Sequence, residues 1–378
     1  MQSLEDLVSN YSHLKATSLK GRYITNDSIL QLIKTLPKAF SVETLGYSEQ
    51  QRPIYGLRVG TGTTKVMIWS QMHGNESTCT KALFDVFNFL DEKDYQPILT
   101  QCALLIIPIL NPDGAAAYTR HNANNVDLNR DAVNLTQKES KVLRSVFDSF
   151  RPDFGFNMHD QRTLFSVGQS NKPATVSFLS PAQDDSCSLS ANRLRAMSLI
   201  HQMNKVLQQL VPGQVGRFDD AFNINCVGDY FQAQNVATVL FEAGHYQNDY
   251  NREETRKLIA ISILKALSSI GSSDFSENDY SSYSAIPENR KLFFDVLLKN
   301  VTVVLENEHE TNIDVGVRYE EALEDGKILF TPKLISKGDL SAYFGHRTID
   351  LQSRSLDSSA EARELLGIGF CDIFTKRH

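Results

Sequence analysis

The chain has 378 residues, 41% hydrophobic and 22% charged, with 38 basic against 45 acidic side chains and a net charge of −7. This is the composition of a soluble globular protein able to bury a sizeable core, and it excludes collagen-like, wholly disordered and coiled-coil classes. The acidic balance, with no basic block, argues against a nucleic-acid partner. The longest apolar stretch, Ala103–Leu110, is far short of the roughly 18–20 residues a membrane helix needs.

The five cysteines are odd in number and widely spaced, with no CxxC pair. That pattern speaks against a disulfide framework or thiolate zinc site and for a reducing compartment. The N-terminal MQSLEDLVSNYSHLK lacks a basic segment followed by an apolar core, so a cytoplasmic location is expected.

Residues 1–40 read as helical and polar. Asn26 or Asp27 is a candidate cap for a helix through Leu36, ended by Pro37. Phe40–Gly46 and Arg52–Val59 read as a hairpin around a polar turn. Lys65–Ser70 reads as a buried strand running into QMHGNES, with helical periodicity from Glu76 to Leu90. Ala103–Leu110 has the continuous apolar character of a central strand, and NPDG after it is a turn signal. Phe154–Met158 and Asn235–Phe241 read as further strands, Ser190–Leu210 and Arg252–Ile270 as helices. The alternation predicts one α/β domain over 1–270. A Ser- and Asp-rich linker follows at 271–286. Lys291–Leu298, Val301–Glu306, Ile313–Tyr319, Lys327–Leu334 and Gly367–Thr375 then suggest a small β-rich appendage over 287–378.

Chemistry gathers where predicted strands end. His73 and Glu76 are three residues apart at the exit of one strand. Imidazole and carboxylate are both good zinc ligands. His159 follows a second strand, and ligands of open α/β sheets bind beyond the carboxyl ends of strands. Two histidines and a glutamate with an open fourth position make a catalytic zinc arrangement. Glu242 follows a third strand, where a carboxylate is costly unless paired or used, and could serve as general base. Arg120 and Arg130 flank a polar loop and suit carboxylate capture. Asp127 between them could accept a hydrogen bond from a ligating imidazole.

In combination, HGNE, NPDG, RHNANNVDLNR and the later His and Glu resemble the zinc carboxypeptidase family, the M14 metallopeptidases, over about residues 65–245. The resemblance implies an α/β/α sandwich with a mixed central sheet and one Zn2+ per chain. It implies His73, Glu76 and His159 as ligands, Glu242 as general base and Arg120 as oxyanion stabiliser. Asn129 and Arg130 would hold the terminal carboxylate of a peptide substrate, and Asp127 would orient a ligating histidine.

The sequence departs from the digestive members. Arg217–Asn223 holds no hydroxyl-bearing aromatic where they place a mobile tyrosine. Val227-Gly228-Asp229 stand near the position that sets side-chain preference, and EAGHYQ and HDQR also differ. The appendage and the missing tyrosine resemble the aspartoacylase and succinylglutamate desuccinylase branch, which would take N-acyl amino acids instead. NPDG and the Arg120–Arg130 spacing favour the peptidase. A catalytically dead binding protein, zinc-bound or metal-free, would have lost a ligand or the base, and all are present.

Overall fold

The computed structural model describes residues 4–273, 279–305 and 308–354. Cys371 and the strand expected at 367–375 lie outside the described residues. The chain opens with helices α1 (Leu4–Leu14) and α2 (Asn26–Lys34), then strands β1 (Ser41–Tyr47), β2 (Pro53–Val59) and β3 (Thr64–Ser70). Next come α3 (Thr78–Asp91), α4 (Gln96–Gln101), β4 (Cys102–Ile107), α5 (Pro112–Ala117) and α6 (Lys138–Phe150). The middle holds β5 (Phe154–Asp160), β6 (Ser166–Val167), β7 (Val176–Leu179), α7 (Ala191–Leu210) and β8 (Val215–Arg217). Then follow α8 (Val227–Ala233), β9 (Ala237–Ala243), α9 (Glu253–Ser272), α10 (Tyr280–Ser284) and β10 (Asn289–Arg290). Four longer strands come last: β11 (Phe293–Leu305), β12 (Glu308–Glu324), β13 (Lys327–Gly338) and β14 (Phe344–Asp350).

Two compact units result, one of residues 1–161 with 174–289, the other of 162–173 with the chain from 290 onward. The first is built on an eight-stranded sheet of order β1-β2-β4-β3-β5-β9-β7-β8. Its centre is parallel, from β4 through β3 and β5 to β9, while β1, β2 and β7 pair antiparallel. Alternation along β3 shows why the sheet has helices on both sides. Val66 and Ile68 pack with residues of α3, α7 and α9, while Met67 and Trp69 pack with α6 and α8. Successive strand side chains point to opposite faces, so a run such as VMIW needs apolar cover on each. This is the expected α/β/α sandwich with a mixed sheet.

The second unit is a four-stranded sheet of order β13-β12-β11-β14 over a small core that includes Val296, Leu298, Val315 and Val317. Residues 162–173 leave the first unit just after β5 and belong here. The Thr163 hydroxyl donates to Asp295 Oδ2 at 3.1 Å, and Phe293 N to Leu164 O at 3.0 Å.

Several local expectations are corrected. Thr25, not Asn26 or Asp27, caps α2, in a capping box with Ser28. NPDG does not turn and stop. Asn111 caps α5 by accepting the Gly114 N–H at 2.8 Å, with Pro112 at the first helical position. The two short strands expected at 291–306 are one strand, β11, whose register against β12 shifts between Leu298 and Val301. A bulge lets one strand continue where the apolar pattern breaks at Lys299-Asn300. Part of the expected linker is helical, since α9 continues to Ser272 and α10 lies at Tyr280–Ser284. Among the described residues, no helix is long and apolar enough to cross a membrane.

Candidate metal centre and active site

His159 and Glu242 are not past their strands but within them, the penultimate residues of β5 and β9. The two strands are parallel and in register, so His159 stands directly beside Glu242. His73 sits in the loop after β3, the strand on the other side of β5.

That loop is held in place by backbone contacts. Gln71 adopts a positive φ, and its amide donates to Ile24 O at 2.9 Å and Gly74 O at 2.8 Å. Asn111, while capping α5, donates its own amide to Met72 O at 3.1 Å. A Cβ on Gly74 would lie 1.9 Å from the Gly114 backbone carbon, so only glycine lets the two loops pass. HGNE and NPDG thus belong to one device: the second motif braces the first.

His73, Glu76 and His159 converge with their ligand atoms within 4.8 Å of one another, and all three are buried. Glu76 Oε1 is 2.9 Å from His73 Nδ1, and Oε2 is 2.9 Å from His159 Nδ1. The two ring nitrogens are 3.1 Å apart. The other nitrogen of His73, Nε2, meets Asp127 Oδ1 at 3.1 Å. If Nε2 carries the proton there, as a carboxylate partner requires, Nδ1 is a lone pair among other acceptors. Such convergence needs a proton or a cation at its centre. Two imidazoles and a carboxylate on three segments are a donor set that fits zinc.

The electrostatics follow this geometry. Burial alone would raise the carboxyl of Glu76, but His73 and His159 outweigh it and hold Glu76 well below the usual range. Burial likewise works against Asp127, and its bonds to His73 and Arg120 overcome it, keeping it ionised far below the usual range. Glu242 goes the other way: burial first, then the charges of Glu76 and Asp160, push it well above the ordinary carboxyl value. Its Oε2 is a buried acceptor with no hydrogen-bond partner among the described residues. Carboxylates pushed apart in this way are candidates for distinct acid–base roles.

Arg120 is clamped beside the cluster. Its Nε and Nη2 donate to Asp127 Oδ2 at 3.1 and 3.0 Å, and its Nη1 lies 3.4 Å from Glu76 Oε1. Asp127 also caps the 3-10 turn Leu128–Arg130 by accepting the Asn129 N–H at 2.9 Å. Asn129 Oδ1 accepts the Val227 N–H at 3.0 Å, tying this loop to the start of α8. Arg130 is exposed, and its Nη1 donates at 2.7 Å to the carbonyl of Asn129. Among the described residues no carboxylate forms an ion pair with Arg130.

One residue escaped the sequence reading. Asp160 donates its N–H to Glu76 Oε2 at 3.1 Å. Its own Oδ2 takes the Thr78 N–H at 3.0 Å and the Thr78 hydroxyl at 2.5 Å. It thereby joins β5 to the first turn of α3 and fixes the carboxylate of Glu76. The only signal was an acidic residue next to His159.

Residues 26–209 match the family model described as Zinc carboxypeptidase. Residues 26–209 are thus similar to a zinc carboxypeptidase domain. The matched span of this domain holds the three candidate ligands, Arg120 and Arg130, and ends before Glu242. Among curated proteins, the chain is 29% identical over 113 residues to the Probable carboxypeptidase 2 of Arthroderma benhamiae, covering 29% of this chain and 21% of that protein. It is 28% identical over 162 residues to Carboxypeptidase SOL1 of Arabidopsis thaliana, covering 36% and 33%. The chain thus spans no more than about a third of the length of these relatives. Among solved structures, a metallo-carboxypeptidase from Burkholderia cenocepacia superposes with a TM-score of 0.53 at 19% identity, covering 66% of this chain and 69% of that one. Carboxypeptidase A from Helicoverpa armigera gives 0.51 at 17%, covering 75% and 82%. At such identities these two share the carboxypeptidase domain's fold with this chain.

Proposed function

We propose that this chain is a zinc-dependent metallocarboxypeptidase that releases the C-terminal amino acid of a peptide. The observation that carries the reading is the buried convergence of His73, Glu76 and His159 beside a Glu242 that burial raises, with an exposed guanidinium on Arg130 that no described carboxylate pairs.

His73, Glu76 and His159 would hold one Zn2+. Bound there, the ion supplies Lewis acidity and brings a water's pKa down to about 7. Glu242 takes the proton of the attacking water and returns it to the leaving amine. Arg120, already oriented by Asp127, presents its guanidinium to the oxygen that becomes negative. Arg130 pairs with the free terminal carboxylate, and Asn129 sets the loop that aims it. An internal peptide bond offers no anion there, so the reading restricts cleavage to chain ends.

The β-rich second unit keeps an N-acyl amino acid deacylase as the second reading. Zinc-loaded protein offered unblocked peptides and N-acetyl or N-succinyl amino acids, read by mass spectrometry, separates them. Single-residue shortening of peptides is expected. Acyl release with every peptide untouched would overturn the peptidase reading.

A further inference from the structure

We propose that Asn157 reads the side chain of the residue being released, and that this side chain is neutral and hydrogen-bonding, a carboxamide above all. The inference rests on the carboxypeptidase reading and assigns its substrate class.

Asn157 lies on β5 two residues before His159. The two-residue period of a strand puts both on the same face of the sheet, about 6.6 Å apart along the chain. Leu240 bears the same relation to Glu242 on β9, and the registers pair Asn157 with Leu240 and His159 with Glu242. One step back from the reacting centre, the sheet therefore presents an amide and a leucine side by side. Leu240 is only partly covered, whereas Asn157 is 2% exposed.

The buried amide is unsatisfied. Asn157 Oδ1 is a buried acceptor to which no group among the described residues donates. Folded proteins rarely leave such an atom unpaired unless something else completes it. Above it stands Gly228, in the first turn of α8. A Cβ at Gly228 would lie 3.6 Å from Asn157 Nδ2 and 3.2 Å from Pro181 Cγ. The amide nitrogen therefore lies against the Gly228 backbone, beside the ring of Pro181.

The same helix start is fixed to the loop that would hold the substrate's carboxylate, through the Val227 N–H and Asn129 Oδ1. A terminal residue with its carboxylate at Arg130 and its scissile carbonyl at the His73–Glu76–His159 cluster has α8 on one side and β5–β9 on the other. Its side chain drops toward Leu240, Gly228 and Asn157. Asp229, next on the helix, is buried, and burial raises its carboxyl against the charge of Arg130. On the sheet side the floor is the amide of Asn157.

A carboxamide fits such a floor because it donates to Oδ1 and accepts from Nδ2 at once. An aliphatic side chain leaves the acceptor unpaired, and a charged one loses water without gaining a counter-charge. Sites built to hydrogen-bond a substrate group discriminate strongly against analogues that lack it.

The test uses zinc-loaded full chain and peptides of one sequence ending in Gln, Asn, Leu, Phe, Lys or Glu. Gln and Asn are expected to exceed Leu by about tenfold or more in kcat/KM. Asn157→Leu is expected to invert the order of Gln and Leu. Gly228→Ala, which sets a methyl against the amide, is expected to slow Gln release without speeding Leu, and keeps the test open should Asn157→Leu not fold. A wild type that prefers Leu, Phe, Lys or Glu overturns this inference alone, as does an unchanged order in a folded Asn157→Leu protein. A wild type that shortens no peptide overturns it together with the carboxypeptidase reading.

Discussion

Asp127 binds His73 with one carboxylate oxygen and Arg120 with the other, Oδ1 to Nε2 at 3.1 Å and Oδ2 to the guanidinium at 3.0 and 3.1 Å. A single side chain therefore sets the tautomer of a proposed metal ligand and the aim of a proposed oxyanion donor. Carboxylates that orient ligating histidines typically contribute 10–100-fold to metal affinity. Asp127→Ala is expected to weaken zinc binding by about that factor and to lower kcat further at saturating zinc, because Arg120 is also released. Zinc titration with a competing chelator and kinetics in excess zinc would separate the two effects. An unchanged zinc affinity would show that His73 does not depend on this bond.

Glu242→Gln keeps the shape of the side chain and removes its ability to take a proton. Activity is expected to fall by roughly two to four orders of magnitude while the zinc content, measured by mass spectrometry of the intact protein, stays at one per chain. Retained turnover would mean that another group serves as the base, with Asp160 the buried carboxyl, after the proposed ligand Glu76, whose charge acts most on Glu242.

The residues of this centre were legible in the sequence because its ligands follow apolar runs, and an apolar run followed by a polar residue is a local signal. The supports were not. Asp160 and Gln71 act through contacts to Thr78, Ile24 and Gly74 that only the folded chain brings together. Strands β7 and β8 were missed because four- and three-residue strands carry too little periodicity to stand out. Helix α6 was missed for another reason: its apolar face, with Leu143, Val146, Phe147 and Phe150 in the core, is thinned by the polar KESK start. NPDG read as a turn because Pro and Gly punctuate turns and helix starts alike, and only the Asn111 cap decides between them.

Far from the metal, Asp85 and Arg256 are completely buried as a pair, with Arg256 Nε and Nη2 at 2.7 and 2.6 Å from the carboxylate. The same carboxylate accepts the Tyr11 hydroxyl at 2.6 Å and the Ala16 N–H at 2.8 Å. It thus latches the N-terminal segment onto α3 and α9. Asp85→Ala removes the buried partner of Arg256 and leaves it Glu253 and two carbonyls; breaking a buried pair typically costs about 3–5 kcal/mol. Urea unfolding should show that loss, and limited proteolysis should cut within the first twenty residues before the rest of the chain. Equal protease resistance of the two proteins would argue that the apolar contacts of Leu7 and Tyr11 hold the segment alone.

Asp229 offers a pH test independent of the metal ligands. Burial is the largest influence on its carboxyl and pushes it up to about 6, against the hydrogen bond from the Asn223 N–H and the charge of Arg130. The folded state therefore binds a proton between the ordinary aspartate value and about 6 that the unfolded chain has released. Stability falls as pH rises through that window, and above it the charged form carries the full penalty. Asp229→Asn, which keeps an acceptor for the Asn223 N–H, is expected to raise the Tm of metal-free protein at pH 8 and to leave it nearly unchanged near pH 4. A gain of the same size at both values would place the effect in packing instead of ionisation.

Arg130 is the residue that should make the enzyme an exopeptidase. It is exposed, it lies beside the loop that Asn129 ties to α8, and its Nη1 bond goes to a neighbouring carbonyl. A hydrogen bond to a charged group is worth about 1.5–3 kcal/mol, so Arg130→Ala should lower kcat/KM for free-acid peptides by roughly ten- to a hundredfold. The sharper readout is the ratio between a free-acid peptide and its C-terminal amide. The wild type should favour the acid strongly, and Arg130→Ala should narrow that preference mainly by losing the acid. Arg130→Lys should recover only part of it, since a point charge cannot make the bidentate contact. If the alanine variant keeps the full acid preference, the terminal carboxylate is held elsewhere, and Arg120 becomes the cation to test next.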